Sequence, residues 1–180
     1  LSFQTSNFMG RGESLTVSLQ MGSRSENYQV AFSEPFLFDR NITGGVDVYK
    51  RTLRYIDQFT QEATGGNLTA GFPLAGFSRM FMVYSYEAVT VSDLNPLYYS
   101  DELVRRNPFL ADSLLIGEGG RRTISKVTPS FVHNTVDNPI FPNSGTRLTG
   151  SVDFAGVGGN TNFVKPRVEY ARFQPLTRRM

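Results

Sequence analysis

The sequence predicts an all-β protein and, within that class, an antiparallel up-and-down barrel that crosses a membrane with its strands. Two observations carry the prediction. Apolar and polar residues alternate with period two through most of the chain, and breaker-rich connections of two lengths take turns along it. A third narrows it: the polar positions of the alternating segments are mostly Ser, Thr, Gln, Asn and Gly. That composition suits a water-filled lumen better than the Lys- and Glu-rich outer face of a soluble sandwich.

Ser14–Met21 sets the pattern. Leu15, Val17, Leu19 and Met21 alternate with Ser14, Thr16, Ser18 and Gln20, as in a strand whose two faces meet different surroundings. Tyr28, Val30 and Phe32 repeat it, and Ile42, Gly44, Val46 and Val48 follow with Thr43, Gly45 and Asp47 between them. Leu68, Ala70, Phe72 and Leu74 come next. Arg79–Val91 is apolar or aromatic at nearly every position of its first half, so a strand is expected there with its facing left open. Leu148, Gly150, Val152 and Phe154 stand against Arg147, Thr149, Ser151 and Asp153; Phe163–Pro175 closes the series, with Lys165, Arg167 and Glu169 opposite Val164, Val168 and Tyr170. Most of these segments approach the ~9–11 residues of a tilted transmembrane strand.

The connections divide into short ones at Asn7–Gly12, Pro35–Asn41, Pro73–Ser78 and Asp137–Gly145, and longer polar ones at Gly22–Asn27, Arg54–Gly66, Ser92–Arg122 and Gly156–Asn162. Alternation of short and long is expected of a membrane barrel, with short turns on the periplasmic side and long loops outside. Aromatics gather near strand ends, among them Phe8, Phe36, Phe38, Phe77 and Phe141, as interfacial girdles require. The 92–122 stretch is too long for a structureless connection in a compact domain. Its Ser100–Arg106 segment has a Ser cap, early acids and late arginines, the charge order of a short helix, and its apolar residues mark it as a cap over the lumen.

Composition excludes several chemistries. There is no cysteine, so thiolate metal sites, disulfides and thiol nucleophiles are out, and the one histidine, His133, cannot build a multi-imidazole site. A net charge of +2 gives no reason to expect nucleic acid as a partner. No apolar run reaches the ~20 residues of a membrane helix, and no basic start leads into an apolar signal segment. The chain opens inside an alternating pattern and reads as a piece of a longer one. A lipid-cleaving barrel would need Ser, His and Asn together; along an extended strand His133 points away from both Ser130 and Asn134, so no triad is expected from these neighbours. Gly117–Arg122 and Gly156–Asn160 lack the Lys-Ser/Thr of a phosphate loop. No cofactor, metal or catalytic residue is expected.

Specific motifs then appear in order. Thr128–Gly145 reads T-P-S-F-V-H-N-T-V-D-N-P-I-F-P-N-S-G, Asn7–Gly12 reads N-F-M-G-R-G, Phe32–Asp39 reads F-S-E-P-F-L-F-D, and Leu68–Pro73 reads L-T-A-G-F-P. Together they resemble the strand-turn signatures of the BamA superfamily of outer-membrane assembly barrels, the bacterial surface antigens. In its main motif Asn134-Thr135-Val136 replaces the family's D-x-R, so the arginine of that pattern is missing at Val136. Read on their own, the motif residues are turn devices. Asp137 and Asn138 offer short acceptors to turn N–H groups, Pro139 fixes φ, Pro142 and Gly145 bracket a second reversal with Gly145 at positive φ, and Pro35 ends the strand that Glu34 belongs to. Gly10, Gly12, Gly71, Phe72 and Pro73 complete the set, all in structural roles.

The resemblance implies that residues 1–180 form part of one outer-membrane barrel domain, roughly the second to the tenth strand and so about half of a sixteen-stranded barrel. It implies location in the outer membrane of a Gram-negative bacterium and a non-enzymatic role in folding and inserting β-barrel proteins. Outer-membrane lipid, unfolded barrel clients and accessory assembly lipoproteins would be the partners. A two-partner secretion barrel or other polypeptide transporter, or a passive porin-like or structural β module, is the alternative. On the barrel reading Leu15, Val17, Leu19, Val46, Val48, Leu148, Val152 and Phe154 look at lipid, while Thr16, Ser18, Asp47, Arg147, Thr149 and Asp153 look into the lumen.

Overall fold

A computed structural model of the chain describes residues 1–95, 106, 121–138 and 140–175. Among these residues nine strands form a single antiparallel sheet whose spatial order is the chain order. They are β1 (Ser2–Thr5), β2 (Ser14–Met21), β3 (Ser25–Glu34), β4 (Thr43–Tyr55), β5 (Phe59–Pro73), β6 (Ser78–Ser92), β7 (Arg121–Asn134), β8 (Gly145–Ala155) and β9 (Phe163–Phe173). A 3-10 turn at Leu37–Asp39 lies between β3 and β4. β1 and β9 are the two edges and are not paired with each other, so the sheet is up-and-down and open.

The register explains why this sequence forms this sheet. Leu15 opposes Phe32, Phe32 opposes Val46, Val46 opposes Leu68, Leu68 opposes Tyr84, Tyr84 opposes Val127, Val127 opposes Phe154, and Phe154 opposes Val164. One apolar row therefore crosses eight strands without a break. Because side chains alternate, a slip of one residue anywhere would throw a whole strand's apolar set onto the polar face, so the pattern fixes which face each residue takes, while slips of two are excluded only by the turns and cross-strand pairs. The facing of Arg79–Val91, open in the sequence, is settled by its neighbours: Met80, Met82, Tyr84 and Tyr86 join the apolar row side. In β7 the pairing to β8 skips from Val127–Phe154 to Ser130–Ser151, beside Pro129, which has no N–H to give the ladder.

Three sequence expectations need correction. Arg54–Gly66 is no loop. β4 runs on to Tyr55 and β5 begins at Phe59, leaving a turn of Ile56–Gln58, with Leu53 opposite Gln61 and Thr52 opposite Glu62. Gly22–Asn27 likewise shrinks to Gly22–Arg24. The reason in β5 is that neither face of residues 61–65 carries a row of large apolar residues. Glu62 and Thr64 stand exposed on one, and the other is packed with the small Ala63 and Gly65, both buried, so composition makes the stretch look like a loop although its backbone pairs with its neighbours. Loop length therefore does not sort cleanly by side, since two connections on the expected long side are three-residue turns. β9 also ends at Phe173 rather than Pro175. The Ser100–Arg106 helix, the lumen cap and Pro139 fall outside the described residues, Arg106 apart.

Among the described residues no second layer covers the sheet, and the buried hydrophobic side chains are Ala63 and Val89, with Val91 packed beside them. Apolar residues of the long rows stand exposed instead, Val48 at 55% and Val168 at 75%. A soluble domain does not leave a sheet-wide apolar face uncovered.

Candidate functional site

The two faces of this sheet are the candidate functional surfaces, and the register assigns each side chain to one of them. Leu15, Val17, Leu19, Val46, Val48, Leu148, Val152 and Phe154 all share the apolar face with Val30, Leu68, Met82, Phe131 and Val168. Thr16, Ser18, Asp47, Arg147, Thr149 and Asp153 share the other.

That other face is a network of hydrogen-bonded polar groups, in which Arg79 Nε alone among the described residues is buried without a partner. Gln29 Nε2 and Asn67 Nδ2, from the strands on either side of β4, donate to the two carboxylate oxygens of Asp47, each at 3.0 Å. The Tyr49 hydroxyl donates to Glu87, which also accepts from Arg51 Nη2 at 2.9 Å. Asp153 accepts from Thr128 Oγ1 at 2.7 Å and lies 3.6 Å from Lys126 Nζ. Arg79 Nη2 donates to Thr43 Oγ1 at 3.0 Å while its guanidinium lies over the Phe81 ring. Glycine makes room for the large rings: a Cβ at Gly71 would fall 2.7 Å from the Phe81 ring. Each carboxylate named here is held by donors, so the wall is pre-organised and polar, without a free acid–base pair. Among the described residues no three His, Asp or Glu side chains gather as a metal site.

The motif residues sit at one end of the sheet and build its turns. Asp137 Oδ1 accepts from the backbone N–H groups of Asn138, Asn143 and Ser144 at 2.9, 3.0 and 3.1 Å. These bonds, those from Ser144 and Asn143 foremost, hold its carboxyl below the ordinary aspartate value. Asn138 Oδ1 takes the N–H groups of Ile140 and Phe141. Gly145 has φ of 111°, and a side chain there would run into the Thr135–Val136 backbone. Pro142 lies in the same turn, half-buried. In the first turn Gly10 and Gly12 have positive φ, Asn7 Oδ1 accepts from Gly12 N at 2.8 Å, and Gly12 faces the Pro35 ring. Glu34 and Pro73 end β3 and β5, and Phe72 is on the apolar face.

One contact was invisible in the sequence. His133 Nδ1 lies 2.9 Å from Ser78 Oγ, its cross-strand partner in β6. Ser130 and Asn134, its sequence neighbours, are on the opposite face. Only the register, not local spacing, could have found Ser78.

Residues 7–180 match the model of the Omp85 superfamily domain. The chain belongs to the Omp85 superfamily. It is 26% identical over 166 residues to a protein of Neorickettsia risticii (strain Illinois) named outer membrane protein assembly factor BamA, a match covering 91% of this chain and 21% of that protein. The fold also matches the crystal structure of BamA from Haemophilus ducreyi lacking POTRA domains 1–3, with a TM-score of 0.72 at 14% identity, over 98% of this chain and 34% of that one. This Omp85 chain therefore spans about a fifth of the curated relative's length and a third of the solved one. The nine-strand sheet is a portion of an integral outer-membrane β-barrel.

Proposed function

We propose that this chain is the membrane-embedded wall of an outer-membrane protein assembly factor, working in the folding and insertion of β-barrel proteins. The observation that carries this reading is the sheet itself, with an apolar row across eight strands that no other described residue covers on one face and a hydrogen-bonded polar network on the other, in a chain of the Omp85 superfamily.

On this reading Leu15, Val17, Leu19, Val46, Val48, Leu148, Val152 and Phe154 contact lipid, and Asp47, Glu87 and Asp153 line the lumen. The four motif turns face the periplasm and the 92–122 region faces outward. The work is physical rather than covalent. A barrel edge offers unpaired N–H and C=O groups to an incoming strand, and backbone groups left unpaired in hydrocarbon cost several kcal/mol each, so templated pairing lowers the barrier to insertion. Unfolded barrel proteins are the clients, with accessory lipoproteins as partners in assembly.

Depletion of the full-length protein tests the reading. Outer-membrane β-barrel proteins as a class should lose their folded, heat-modifiable forms. Unchanged barrel levels with retention of a single secreted cargo would overturn it in favour of a secretion transporter.

A further inference from the structure

The apolar rows are short for the membrane they would cross. On the apolar face, β8 is apolar from Leu148 to Phe154 and β9 from Val164 to Tyr170. At ~3.4 Å per residue and a tilt of ~40°, each stretch spans about 15 Å along the membrane normal. β3 and β4 offer less, Tyr28–Phe32 and Gly44–Val48, before Glu26 and Lys50 begin the polar part of that face. β6 is the longest, Met80–Ala88, and still reaches only about 21 Å by the same arithmetic, against an apolar band of roughly 25 Å. At the far end the deficit cannot be made up, because the Lys50–Glu62 ion pair bridges adjacent strands there.

At the turn end it can. Each of the four motif turns carries exposed large apolar residues at its tip: Met9, Phe38, Phe77 and the Ile140–Phe141 pair. The tips are built to display them. Phe38 has φ of 58°, a conformation costly for an aromatic residue, held by bonds from Asp39 N to Phe36 O and Arg40 N to Leu37 O, and its side chain is 81% exposed. Asn138 locks the backbone beneath Ile140 and Phe141, each 76% exposed. Arg11 and Arg40 are exposed in the first two of these turns, where lipid phosphates would lie.

We infer that the four turn tips insert into the turn-side phospholipid leaflet and complete the apolar belt, so that turns rather than strands set how deep this wall sits. The inference rests on the barrel reading above and adds to it the identity of the surface the turns engage.

Nitroxide depth measurements on the full-length protein in phosphatidylethanolamine/phosphatidylglycerol vesicles decide it. Labels at Phe77→Cys, Phe141→Cys, Val152→Cys and Glu62→Cys are compared for collision with oxygen and with a water-soluble nickel chelate; the present chain has no cysteine to interfere. Phe77 and Phe141 labels should favour oxygen several-fold over the Glu62 label, in the same sense as Val152. Turn labels that read as wet as Glu62 beside a lipid-immersed Val152 would overturn the inference and leave a membrane thinned to the strand belt. A wet Val152 would overturn the barrel reading together with it. A double Phe77→Ser/Phe141→Ser variant should shift the Val152 label's depth; an unchanged depth would also count against the inference.

Discussion

At the turn end of the sheet, Asp137, Asn138 and Asn7 cap backbone N–H groups, positive-φ residues shape tight reversals, and bulky apolar side chains stand out at the tips. At the loop end, β4 and β5 simply run on past the apolar rows and meet across Ile56–Gln58. Side-chain pairs hold that ribbon: Arg54 with Glu26 at 2.7 Å, Arg51 with Glu87, and the tilted Tyr55–Phe59 rings. Order at the turn end comes from local chemistry within each connection. Order at the loop end comes from the neighbouring strands. The first kind is written in short motifs; the second, the Tyr55–Phe59 pair apart, joins residues 28 and 36 positions apart.

Substitutions separate these sources of order. The largest effect is expected in the belt that both ends flank: Val152→Arg should destabilise the barrel by ~2–4 kcal/mol if it lies near the midplane, while Ser151→Arg, on the other face, should cost well under that. Urea titration of the folded, heat-modifiable form in lipid reads the difference, and equal effects would contradict the two-faced sheet. Next comes the turn end. Gly145→Ala should cost ~1–3 kcal/mol, because an L residue at its φ of 111° is strained and its Cβ meets the Thr135 backbone.

Acid should then loosen the turn end selectively. The Asp137 carboxyl is held below its ordinary value, so its contribution to stability is present above that value and is lost as pH falls through the lowered one. Asp137→Ala should abolish this acid sensitivity, as followed by hydrogen exchange at the Asn143 and Ser144 amides that Asp137 holds. The smallest effect belongs to the loop end. Arg54→Ala removes an exposed pair with Glu26 and should cost ~0.2–1 kcal/mol, less at high salt.

Much of the fold could be read from the sequence where one face is apolar. Ser14–Met21, Val46–Val48 and Leu148–Phe154 alternate strictly, and the sheet puts each where alternation demands. The turn devices at Asp137, Asn138 and Gly145 were legible too, because a cap or a positive φ acts within a few residues. Gln61, Glu62 and Thr64 were not legible as strand, since the buried face of that segment is made of the small Ala63 and Gly65 and shows no period of large apolar residues. The Ser78–His133 contact and the Tyr49–Glu87–Arg51 cluster were beyond reach for another reason: each joins strands whose register no local pattern specifies.

The agreement between spatial and chain order also bears on how the sheet comes to exist in time. Every strand pairs with its predecessor, so zippering can advance hairpin by hairpin without waiting for distant segments. One junction breaks that rhythm. Joining β6 to β7 closes residues 93–120, where the β2–β3 and β4–β5 reversals each close three, a difference of about 2 kcal/mol in closure entropy. β2–β6 should therefore acquire hydrogen-exchange protection as one early unit during assembly, with β7–β9 joining as a second, later one.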